Sequence, residues 1–573
     1  MAGGAMRDDG GMRAAHTVTQ VRTAEAPLLD ALPPGALMQR AVHGLLSHAV
    51  RRLGRRVYGR RVVVLAGAGD NGGDALWAGA KLAARGARVD VLAPGRTHPE
   101  GTAALLAAGG RVHRVAAPGD PQPEATEAGA PASGAPAARS DDQAAALLAK
   151  ADLVLDGLLG IGGRPGLRGA YARLAELAPP DRTIAVDVPS GVDADTGAAP
   201  GTAVRAALTV TFGTYKRGLL LGDGAAHTGE LALVDIGLDL PAPDLTALDD
   251  ADIAALLPAP GPADSKYTRG VLGLVGGSDR YPGAIVLATG GALRGGAGYL
   301  RVVAEARAAE HVRTAHPETV VTVIEPGDVN AMLAAGRVQA WAFGPGVVPD
   351  AAARRLLDGL VATDLPLLLD AGALDPFAEA FAAGFPARAG AGTGVGFTAS
   401  VGFSGGVGFS GGSAAGPVTS TGRDVLARRG APVLLTPHEG EFARLTATAL
   451  GWAADDTRRE LADDRLGTVR RAAAALSATV LLKGNRTLIV DPAGTARVNT
   501  TGTPWLGSAG TGDVLTGLTG SLLAAGLPAL DAASVGAHLH GVAGQLAPRP
   551  LSAADLPAVL PAAVARVLDG LAG

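Results

Sequence analysis

The sequence predicts an α/β protein built from two consecutive domains. Its 573 residues exceed the usual domain size of about 100–200 residues. Both halves alternate short β-branched runs, glycine-rich turns and alanine-rich helical stretches, a pattern typical of a parallel sheet covered by helices. Several predicted strands end in polar or glycine-rich turns, which is where open α/β sheets bind ligands.

The first predicted domain covers residues 17–243 and follows a disordered leader at residues 1–16, which lacks the apolar run of a secretory signal. A helix is expected over residues 75–85. An Ala/Pro/Gly-rich stretch at residues 118–142 buries little apolar surface and is interpreted as a flexible insertion. The expected strands, several of which include the turn that follows, are residues 60–69, 87–94, 151–160, 183–191 and 208–218.

The second predicted domain covers residues 247–572 and follows a boundary near residue 245, where proline and aspartate cluster. Its predicted strands lie in GVLGLVGG, AWAFGPGV, LPLLLDAGAL, APVLLTPHEGE and ATVLLKGNRTLIV. Residues 387–421 contain the near repeat GVGFSGGVGFSGG and are interpreted as a Gly-rich loop insertion.

Composition excludes several classes of protein. With 18% charged residues and a formal net charge of −4, the chain lacks the basic excess expected for binding nucleic acid or an anionic membrane. It contains no cysteine, so disulfides, thiolate metal sites and cysteine nucleophiles are excluded. The apolar stretch at residues 514–530 is short for a membrane span and favours a buried helix. The expected location is therefore the cytoplasm.

The segment GSAGTGDVL places three flexible residues, Gly510 to Gly512, before Asp513 and a helical run. A glycine-rich helix N-terminus offers free N–H groups to an anion. A carboxylate beside it suits a base that takes a hydroxyl proton while the amides hold a phosphoryl group. A plain helix cap is the alternative.

Two upstream segments favour the functional interpretation. In LLKGNRT, Lys483 follows a strand and precedes a tight turn, which suits nucleotide phosphates, although such a lysine is more often a surface charge. His438 in TPHEGE stands between a strand and two glutamates, which suggests substrate contact or a magnesium-linked water, although a lone histidine is more often structural. The chain has no Gly-x-x-x-x-Gly-Lys-Ser/Thr phosphate loop.

In the first half, GAGDNGGDA joins a strand to a helix without matching the dinucleotide fingerprint Gly-x-Gly-x-x-Gly. Its Asp70, Asn71 and Asp74, together with Asp156 and Ser190 after later strands, are predicted to gather oxygen ligands for a hard cation at one sheet edge. Turn and cap chemistry is the alternative. Asp187, held before a proline in VDVPSG, is a candidate acid or base, with a structural aspartate as the alternative.

Ten motifs, in order, resemble a known family. GDNGGDA, DGLLGIGGRPGLRG, VDVPSGVDADTG and TFGTYKRG resemble the NAD(P)H-hydrate epimerase domain. SKYTRG, GGSDRYPGA, FGPG, TPHEGE, LLKGNRT and GSAGTGDVLTG resemble the ADP-dependent (S)-NAD(P)H-hydrate dehydratase domain. Together they resemble the bifunctional nicotinamide nucleotide repair enzymes. The resemblance implies an N-terminal Rossmann-like three-layer epimerase domain and a C-terminal ribokinase-like α/β domain.

The resemblance also implies two reactions. The R and S hydrates of NADH and NADPH, called NADHX and NADPHX, are interconverted, and the S hydrate is then dehydrated to NAD(P)H at the expense of ADP, giving AMP and phosphate. The implied mechanism of dehydration is phosphoryl transfer to the hydrate hydroxyl, followed by elimination of phosphate. The implied cofactors are K⁺ in the epimerase domain and Mg²⁺ with ADP in the dehydratase domain, and the implied assembly is a homo-oligomer, a tetramer.

The resemblance assigns roles to individual residues. Asp187 and Asp513 are the implied acid/base residues of the two domains. The implied K⁺ ligands are Asn71, Asp156 and Ser190. In the epimerase domain the implied substrate-binding residues are Asp70, Asn71, Gly72, Gly73, Asp74, Gly160, Ile161, Gly162, Gly163, Arg164, Pro165, Gly166 and Asp187. In the dehydratase domain they are Ala284, Gly346, His438 and Asp513. The implied ADP-binding residues are Lys483, Gly484, Asn485, Arg486, Thr487 and Gly512.

The chain departs from the family pattern at three positions: Asp70 replaces an asparagine, Ala75 a glycine, and Gly372 an aspartate often found there. Two alternatives follow. The second domain could be a ribokinase-like small-molecule kinase, because the same glycines and Asp513 would serve stable phosphorylation of an alcohol. The first domain could be a non-catalytic nucleotide-binding or partner-binding domain.

Overall fold

The computed structural model describes residues 12–115, 140–385 and 421–569. The strands of the first half are β1 (Arg13–His16), β2 (Arg61–Ala66), β3 (Arg88–Ala93), β4 (Arg111–Arg114), β5 (Leu153–Gly157), β6 (Thr183–Val186), β7 (Leu208–Phe212), β8 (Tyr215–Lys216) and β9 (Glu230–Val234). Its helices are α1 (Val18–Ala31), α2 (Ala36–Arg52), α3 (Asp70–Ala84), α4 (Pro99–Ala107), α5 (Asp141–Ala149), α6 (Gly169–Leu177) and α7 (Gly224–His227).

Seven of these strands form a parallel sheet in the order β4-β3-β2-β5-β6-β7-β9. Strand β2, RVVVLA, shows why the sheet has helices on both faces, since all of its residues after Arg61 are buried. Val62 and Val64 pack in a cluster with α2 and α3, whereas Val63 and Leu65 pack in a cluster with α5 and α6. The predicted Rossmann-like three-layer arrangement is confirmed.

Helix α3 begins at Asp70 rather than at residue 75, so the expected helix start was wrong by five residues. Gly69 has extended backbone and serves as the N-cap, and Asp70 lies in the first turn, where a negative charge is favourable. The segment GDNGGDA is therefore the first turn of a helix and not a loop before it. Ala75 is buried there, with its Cβ 2.5 Å from where a Cβ at Gly157 would lie, so the departure at residue 75 is accommodated by a glycine opposite.

The second half contains ten further strands: β10 (Leu245–Ala247), β11 (Val271–Val275), β12 (Tyr299–Ala304), β13 (Val320–Val323), β14 (Ala340–Phe343), β15 (Leu367–Leu369), β16 (Val433–Leu435), β17 (Thr479–Leu482), β18 (Thr487–Val490) and β19 (Ala496–Asn499). Its helices are α8 (Asp250–Leu256), α9 (Pro282–Arg294), α10 (Ala306–Ala315), α11 (Val329–Leu333), α12 (Ala351–Ala362), α13 (Leu374–Ala383), α14 (Gly422–Ala427), α15 (Glu439–Leu450), α16 (Ala454–Asp463), α17 (Arg465–Leu476), α18 (Thr511–Ala524), α19 (Ala529–Leu546) and α20 (Leu556–Asp569).

The second sheet runs β13-β12-β11-β14-β15-β16-β17-β18-β19-β10-β1-β8. Its strands are parallel from β13 to β17, and β18 then pairs antiparallel with both β17 and β19. Helices α9, α18, α19 and α20 pack on one face in one cluster, and α12 and α13 lie in another. The predicted α/β class is confirmed here as well, and the apolar stretch at residues 514–530 begins within the buried helix α18.

The prediction of a disordered leader at residues 1–16 was wrong for residues 13–16. Residues 13–16 form β1, which pairs antiparallel with β10 and parallel with β8. Ala15 is fully buried, and His16 is 2.7 Å from Thr214 Oγ1 and 3.0 Å from the carbonyl of Pro241. Residues 1–11 lie outside the described residues, as do most of the predicted insertions at 118–142 and 387–421. Residues 140–142 and 421 are described, and Ser140 and Thr421 cap α5 and α14.

Asp244 joins the two halves of the chain at this boundary. Its carboxylate accepts hydrogen bonds from Arg217 at 2.6 Å and from Arg470 at 3.0 and 3.1 Å. Burial would raise the pKa of Asp244, but the two guanidinium groups outweigh it and the pKa lies below its ordinary value. The folded state therefore gains stability at neutral pH, and this gain is lost as the pH falls through that lowered pKa.

We expect Asp244→Ala to lower the free energy of unfolding by about 1–3 kcal/mol, because it leaves two partly buried guanidinium groups without their shared carboxylate. Urea denaturation at neutral pH measures the change. The exposed Asp223→Ala is the matched control and should leave the midpoint unchanged. Equal midpoints for the two variants would contradict a stabilising role for this contact.

In the described part of the chain, no helix is both long and apolar enough to cross a membrane.

Candidate active sites

The first candidate site is a cavity of about 490 Å³ in the second half. It lies at the carboxyl ends of β15, β16 and β17, against the first turn of α18. These ends contribute Asp370, His438 and Lys483, and α18 contributes Gly512 and Asp513. Gly510 precedes the helix with φ +88°, a left-handed conformation that favours glycine. The free N–H groups of the helix therefore face a concave site, as an anion-binding site requires.

Lys483 is the centre of an ion network in this cavity. Its Nζ lies 2.8 Å from Asp370 Oδ1 and 3.6 Å from Glu441 Oε2. Burial alone would lower the pKa of Lys483, but the carboxylates of Asp370 and Glu441 outweigh it and raise the pKa. Thr516 Oγ1 donates to Asp370 Oδ2 at 2.7 Å and so fixes the second oxygen of that carboxylate. A cationic ammonium is thereby held at the mouth of an anion site.

Asp513 is suited to take a proton at neutral pH. Burial raises its pKa, the charge of Asp370 raises it further, and the charge of Lys483 opposes both, so that the pKa lies at about 7. A general base is most effective when its pKa is near the working pH. The arrangement therefore combines an anion site with a poised carboxylate.

His540 contacts the first turn of α18 by a hydrogen bond. It is buried, and burial lowers its pKa to about 4, so the ring is neutral at physiological pH. Its Nε2 lies 2.9 Å from the carbonyl oxygen of Thr511. Because that oxygen can only accept, Nε2 carries the proton and donates it to the helix start.

His438 has a structural role in addition to any contact with a ligand. It is the N-cap of α15, and its Nδ1 accepts from the backbone N–H groups of Gly440 and Glu441 at 3.0 and 3.3 Å. Since Nδ1 accepts, the ring proton lies on Nε2. The side chain lines the cavity and is 57% exposed, and its Nε2 lies 3.6 Å from Glu441 Oε1.

The structure brings most of the sequence-predicted nucleotide residues together. Those that line the cavity are Lys483, Gly484, Asn485, Thr487 and Gly512. Arg486 is the exception, because it lines a different cavity at the boundary between the halves, together with Arg13. Its guanidinium donates to the carbonyl of Thr500 at 2.9 Å. Successive side chains of extended backbone point to opposite faces. Arg486 and its neighbour Thr487 therefore line different cavities.

Ala284 and Gly346 lie beside the main cavity but do not line it. A Cβ at Gly346 would be 3.2 Å from the Cβ of Ala284 and 2.4 Å from the carbonyl of Tyr281. The two residues are therefore neighbours, and Gly346, with φ +71°, permits their close approach. They border a second cavity, which is described below.

The second candidate site surrounds Asp187 at the carboxyl end of β6. Asp187 has a positive φ of 64°, a strained conformation for a residue other than glycine. Its Oδ1 accepts from Lys216 Nζ at 2.5 Å, from Thr211 Oγ1 at 3.0 Å and from the N–H of Phe212 at 3.2 Å. Lys216 is only 1% exposed, so a buried ion pair fixes the carboxylate.

Further carboxyl groups surround this ion pair. Burial raises the pKa of Asp74 well above its ordinary value, and the charges of Asp187, Asp70 and Glu25 raise it further. Burial also raises the pKa of Glu25, although Lys216 opposes it. Among the described residues, none donates a hydrogen bond to the buried Asp74 Oδ1. Burial and three neighbouring carboxyl groups therefore favour the protonated form of Asp74.

The predicted oxygen cluster assembles at the same sheet edge. Ser190 Oγ is 2.7 Å from Asp156 Oδ1 and 3.1 Å from the carbonyl of Leu159, and Asn71 Nδ2 donates to that carbonyl at 2.8 Å. Burial raises the pKa of Asp156 to about 6, against the hydrogen bonds from Ser190 and Leu158. Hydroxyl, amide, carbonyl and carboxylate oxygens thus lie within one hydrogen-bonded group.

The glycine-rich segment after β5 divides between two surfaces. Gly160 approaches the side chain of Asn71, and a Cβ at Gly162 would lie 3.3 Å from Arg22 Nη2. Ile161 packs in a small apolar cluster with Val188, and Gly163 donates its N–H to the carbonyl of Gly160. The last three predicted residues, Arg164, Pro165 and Gly166, instead line a shallow surface cavity with Tyr171.

Gly72 and Gly73 lie buried in the first turn of α3, while Asp70 is exposed there. A Cβ at Gly72 would lie 2.2 Å from the carbonyl oxygen of Gly67, and one at Gly73 would lie 3.0 Å from Met38. These glycines therefore let α3 approach the preceding turn and α2.

Sequence reasoning missed two functional side chains, Asp370 and Lys216. Each had a signal that could have found it. Asp370 follows the apolar run LPLLL in the same way that Asp187 follows TIAV, and Lys216 follows Tyr215 shortly after the apolar and β-branched run LTVTF. Among the described residues, no group of three or more His, Cys, Asp or Glu side chains could hold a metal ion.

The two halves of the chain match two different family models. Residues 34–218 match the family model described as YjeF-related protein N-terminus. Residues 272–389 and 417–565 match the family model described as NAD(P)H-hydrate dehydratase. The bifunctional NAD(P)H-hydrate repair enzyme Nnr of Mycobacterium tuberculosis strain H37Rv is 40% identical over 530 residues, which cover 91% of this chain and 92% of the relative.

The chain belongs to the bifunctional NAD(P)H-hydrate repair enzymes. The member of this family from Mycobacterium leprae is 39% identical over 98% of this chain and 100% of its own length. A solved structure of ADP/ATP-dependent NAD(P)H-hydrate dehydratase from Bacillus subtilis, co-crystallised with ATP and Mg²⁺, is 27% identical and has a TM-score of 0.43. It covers 56% of this chain and 97% of its own length. The two mycobacterial relatives confirm the predicted family.

Proposed function

We propose that this protein repairs hydrated nicotinamide dinucleotides by two activities, as the names of its relatives state for those proteins. The first half interconverts the R and S hydrates, and the second half dehydrates the S hydrate at the expense of ADP. The observation that carries the proposal is the cavity in which Asp513, with a pKa of about 7, lies beside Lys483 and the amide end of α18.

In the dehydratase cavity, Lys483 and the N–H groups at the start of α18 hold the β-phosphate of ADP by charge and hydrogen bonds. Asp513 takes the proton of the hydrate hydroxyl. The hydroxyl oxygen bonds to the β-phosphorus of ADP, and AMP leaves. The phosphorylated hydroxyl then leaves as phosphate with the electron pair of the C–O bond. Loss of a ring proton restores the reduced nicotinamide, so atoms and electrons balance.

The donor set of this cavity fits Mg²⁺ bound together with the nucleotide. Mg²⁺ is usually held by one or two carboxylates, several waters and the phosphates of the substrate. Asp370 and Glu441 bring carboxylates to Lys483, and these two residues would hold the ion against the phosphates. The bound ion would neutralise the charge that develops on the phosphoryl oxygens.

In the epimerase site, we assign Asp187 as the acid/base residue, because Lys216 and two further donors hold its carboxylate. Asp74 is a second candidate proton donor at this site, because burial and neighbouring carboxyl groups raise its pKa and none of the described residues donates to its Oδ1. The remaining predicted residues of α3 lie in its first turn and Gly160 lies beside Asn71, whereas Arg164, Pro165 and Gly166 line the separate surface cavity with Tyr171. Binding of the hydrate by each of them stays a prediction.

K⁺ fits the oxygen cluster beside this site. Asn71, Asp156 and Ser190 offer amide, carboxylate and hydroxyl oxygens, which hard cations prefer. Ser190 contacts both Asp156 and the carbonyl of Leu159, and Asn71 contacts the same carbonyl through its amide nitrogen. A bound K⁺ would offset the buried charge of Asp156 and would provide a fixed positive charge for a phosphate of the substrate. This binding is tested by comparing the melting temperature of the protein in KCl with that in LiCl at equal ionic strength, a measurement that needs no enzyme assay.

The test of the proposed function is a mixture of R and S hydrates with ADP and Mg²⁺, followed by the near-ultraviolet absorbance of the reduced nicotinamide. We expect complete recovery of the absorbance. Recovery of only the S fraction would contradict the assignment of epimerase activity to the first half. Stable phosphorylation of a small alcohol by ATP, with the hydrates untouched, would instead support the kinase alternative.

The pH dependence of dehydration should follow Asp513. Because the base must be ionised, the rate should rise as the pH increases through about 7. We expect Asp370→Asn to move this rise to lower pH, because the charge of Asp370 raises the pKa of Asp513. Rates of S-hydrate turnover across pH measure the shift.

Thr516→Val is the matched control for Asp370→Asn, because it removes a hydrogen bond to Asp370 and leaves the charge in place. Its profile should keep the rise near pH 7. A rise that stays in place or moves to higher pH in Asp370→Asn would contradict the assignment of Asp513 as the base.

A further inference from the structure

A second cavity, of about 270 Å³, lies in the same half at the carboxyl ends of β11, β12, β13 and β14. Its floor is apolar and buried, whereas its rim is polar. The floor consists of Val275, Val303, Ile324, Phe343 and Leu356. The rim includes Ser278, Asp279, Arg280, Glu305 and Asp350. An apolar floor with a few polar groups around it is the usual form of a small-ligand site.

The backbone at residues 346–347, here called the ridge, lies between this cavity and the main one. Val347 lines the second cavity, and its carbonyl oxygen would lie 2.1 Å from a Cβ at Gly372. The neighbouring Ala371 lines the main cavity. On the other side of the ridge, a Cβ at Gly346 would lie 3.2 Å from the Cα of Gly277, which also lines the second cavity. The two cavities are therefore neighbours, with the backbone at Gly346 and Val347 between them.

The rim carboxylates are held in fixed orientations by backbone N–H groups. Glu305 Oε2 accepts from the N–H of Asp279 at 3.0 Å. Asp350 Oδ1 accepts from the N–H groups of Ala352 and Ala353 at 2.8 and 3.0 Å. Fixed carboxylates accept hydrogen bonds from neighbouring hydroxyls and repel phosphates. With the apolar floor for a flat ring, the cavity matches a nucleoside, with its ribose hydroxyls at the rim.

We propose that the second cavity binds the adenosine end of the dinucleotide hydrate, an inference that rests on the proposed function. The main cavity, of about 490 Å³, is within the range of about 300–1,000 Å³ that one drug-sized ligand fills. It must already hold ADP and the reacting ring. The adenosine of the hydrate therefore needs a separate place, and the second cavity lies next to the main one.

The test compares two hydrates in the full-length enzyme with saturating ADP. One is the S hydrate of NADH, and the other is the S hydrate of reduced nicotinamide mononucleotide, which lacks the adenosine. Ala352→Trp fills the second cavity, because Ala352 lines it. We expect this variant to raise KM for the dinucleotide hydrate about tenfold or more, with kcat almost unchanged, and to leave both constants for the mononucleotide hydrate unchanged.

Ala351→Trp is the matched control, because Ala351 is the exposed neighbour on α12 and does not line the cavity. It should behave as the unmodified enzyme does on both hydrates. Val348→Phe, on another wall of the cavity, repeats the test if Ala352→Trp does not fold. An unchanged KM for the dinucleotide hydrate in both cavity variants, or an equal loss on both hydrates, would overturn the proposal.

Added adenosine distinguishes a substrate site from an effector site. Adenosine should compete with the dinucleotide hydrate and leave turnover of the mononucleotide hydrate unchanged. An equal effect on both hydrates at saturating ADP would make the cavity an effector site and would overturn the proposal. Failure of the unmodified enzyme to dehydrate either hydrate would instead refute the proposed function itself.

Discussion

The variant Asp513→Asn should lose dehydration of the S hydrate by about 10²–10⁴-fold, the usual contribution of a positioned acid or base. The amide has nearly the same shape but cannot take the hydroxyl proton. Asp513 does not contact the site around Asp187, so interconversion of the R and S hydrates should continue. Absorbance recovery from the pure S hydrate with ADP measures the first activity, and chromatography of the two hydrates measures the second.

Asp239→Asn is the control for this change, because Asp239 is exposed and lies outside both cavities. It should retain both activities. If folded Asp513→Asn dehydrates the S hydrate at close to the unmodified rate, Asp513 is not the base. If it loses both activities, the two reactions do not have separate sites.

The variant Asp187→Asn should have the opposite effect. Interconversion of the hydrates should fall by about 10²–10⁴-fold, while the S hydrate is still dehydrated. A mixture of R and S hydrates should then recover only the S fraction of the absorbance during the normal assay. Unchanged recovery of the R fraction, at a rate above its spontaneous interconversion, would count against Asp187 as the acid/base residue.

This variant also leaves Lys216 buried without its anion, since their atoms are 2.5 Å apart. Breaking a buried ion pair by removing one partner costs about 3–5 kcal/mol. The double variant Asp187→Asn with Lys216→Met removes both charges and should recover part of that stability in urea denaturation, without recovery of epimerisation. This separates loss of the acid/base group from loss of the fold.

Much of the fold and of both sites could be predicted from sequence because the signals were local. A buried strand that ends at a polar residue marks a sheet edge, and this pattern placed Asp187, His438 and Lys483 correctly at the carboxyl ends of strands. The glycine segment before Asp513 likewise predicted an anion site at a helix start, and the structure places it in a cavity.

The misses depended on contacts between distant parts of the chain. The segment at residues 13–16 has no strand signal of its own and becomes β1 because β10 and β8 pair with it. Lys216 is paired with Asp187 only by the close approach of β8 to β6 and β7. Arg486 follows the family motif in sequence, but the geometry after β17 directs it to the boundary between the halves.

The sheet of the second half ends in β1 and β8, which come from the first half. An attempt to produce each activity as a separate polypeptide by cutting near residue 245 would therefore expose new sheet edges. The upstream fragment would keep β1 paired with β8 but would leave the edge of β1 that faces β10 unpaired, and the downstream fragment would expose the edge of β10 or β19. Unpaired edges promote aggregation, so single-activity versions of this enzyme are better made by point substitution than by truncation.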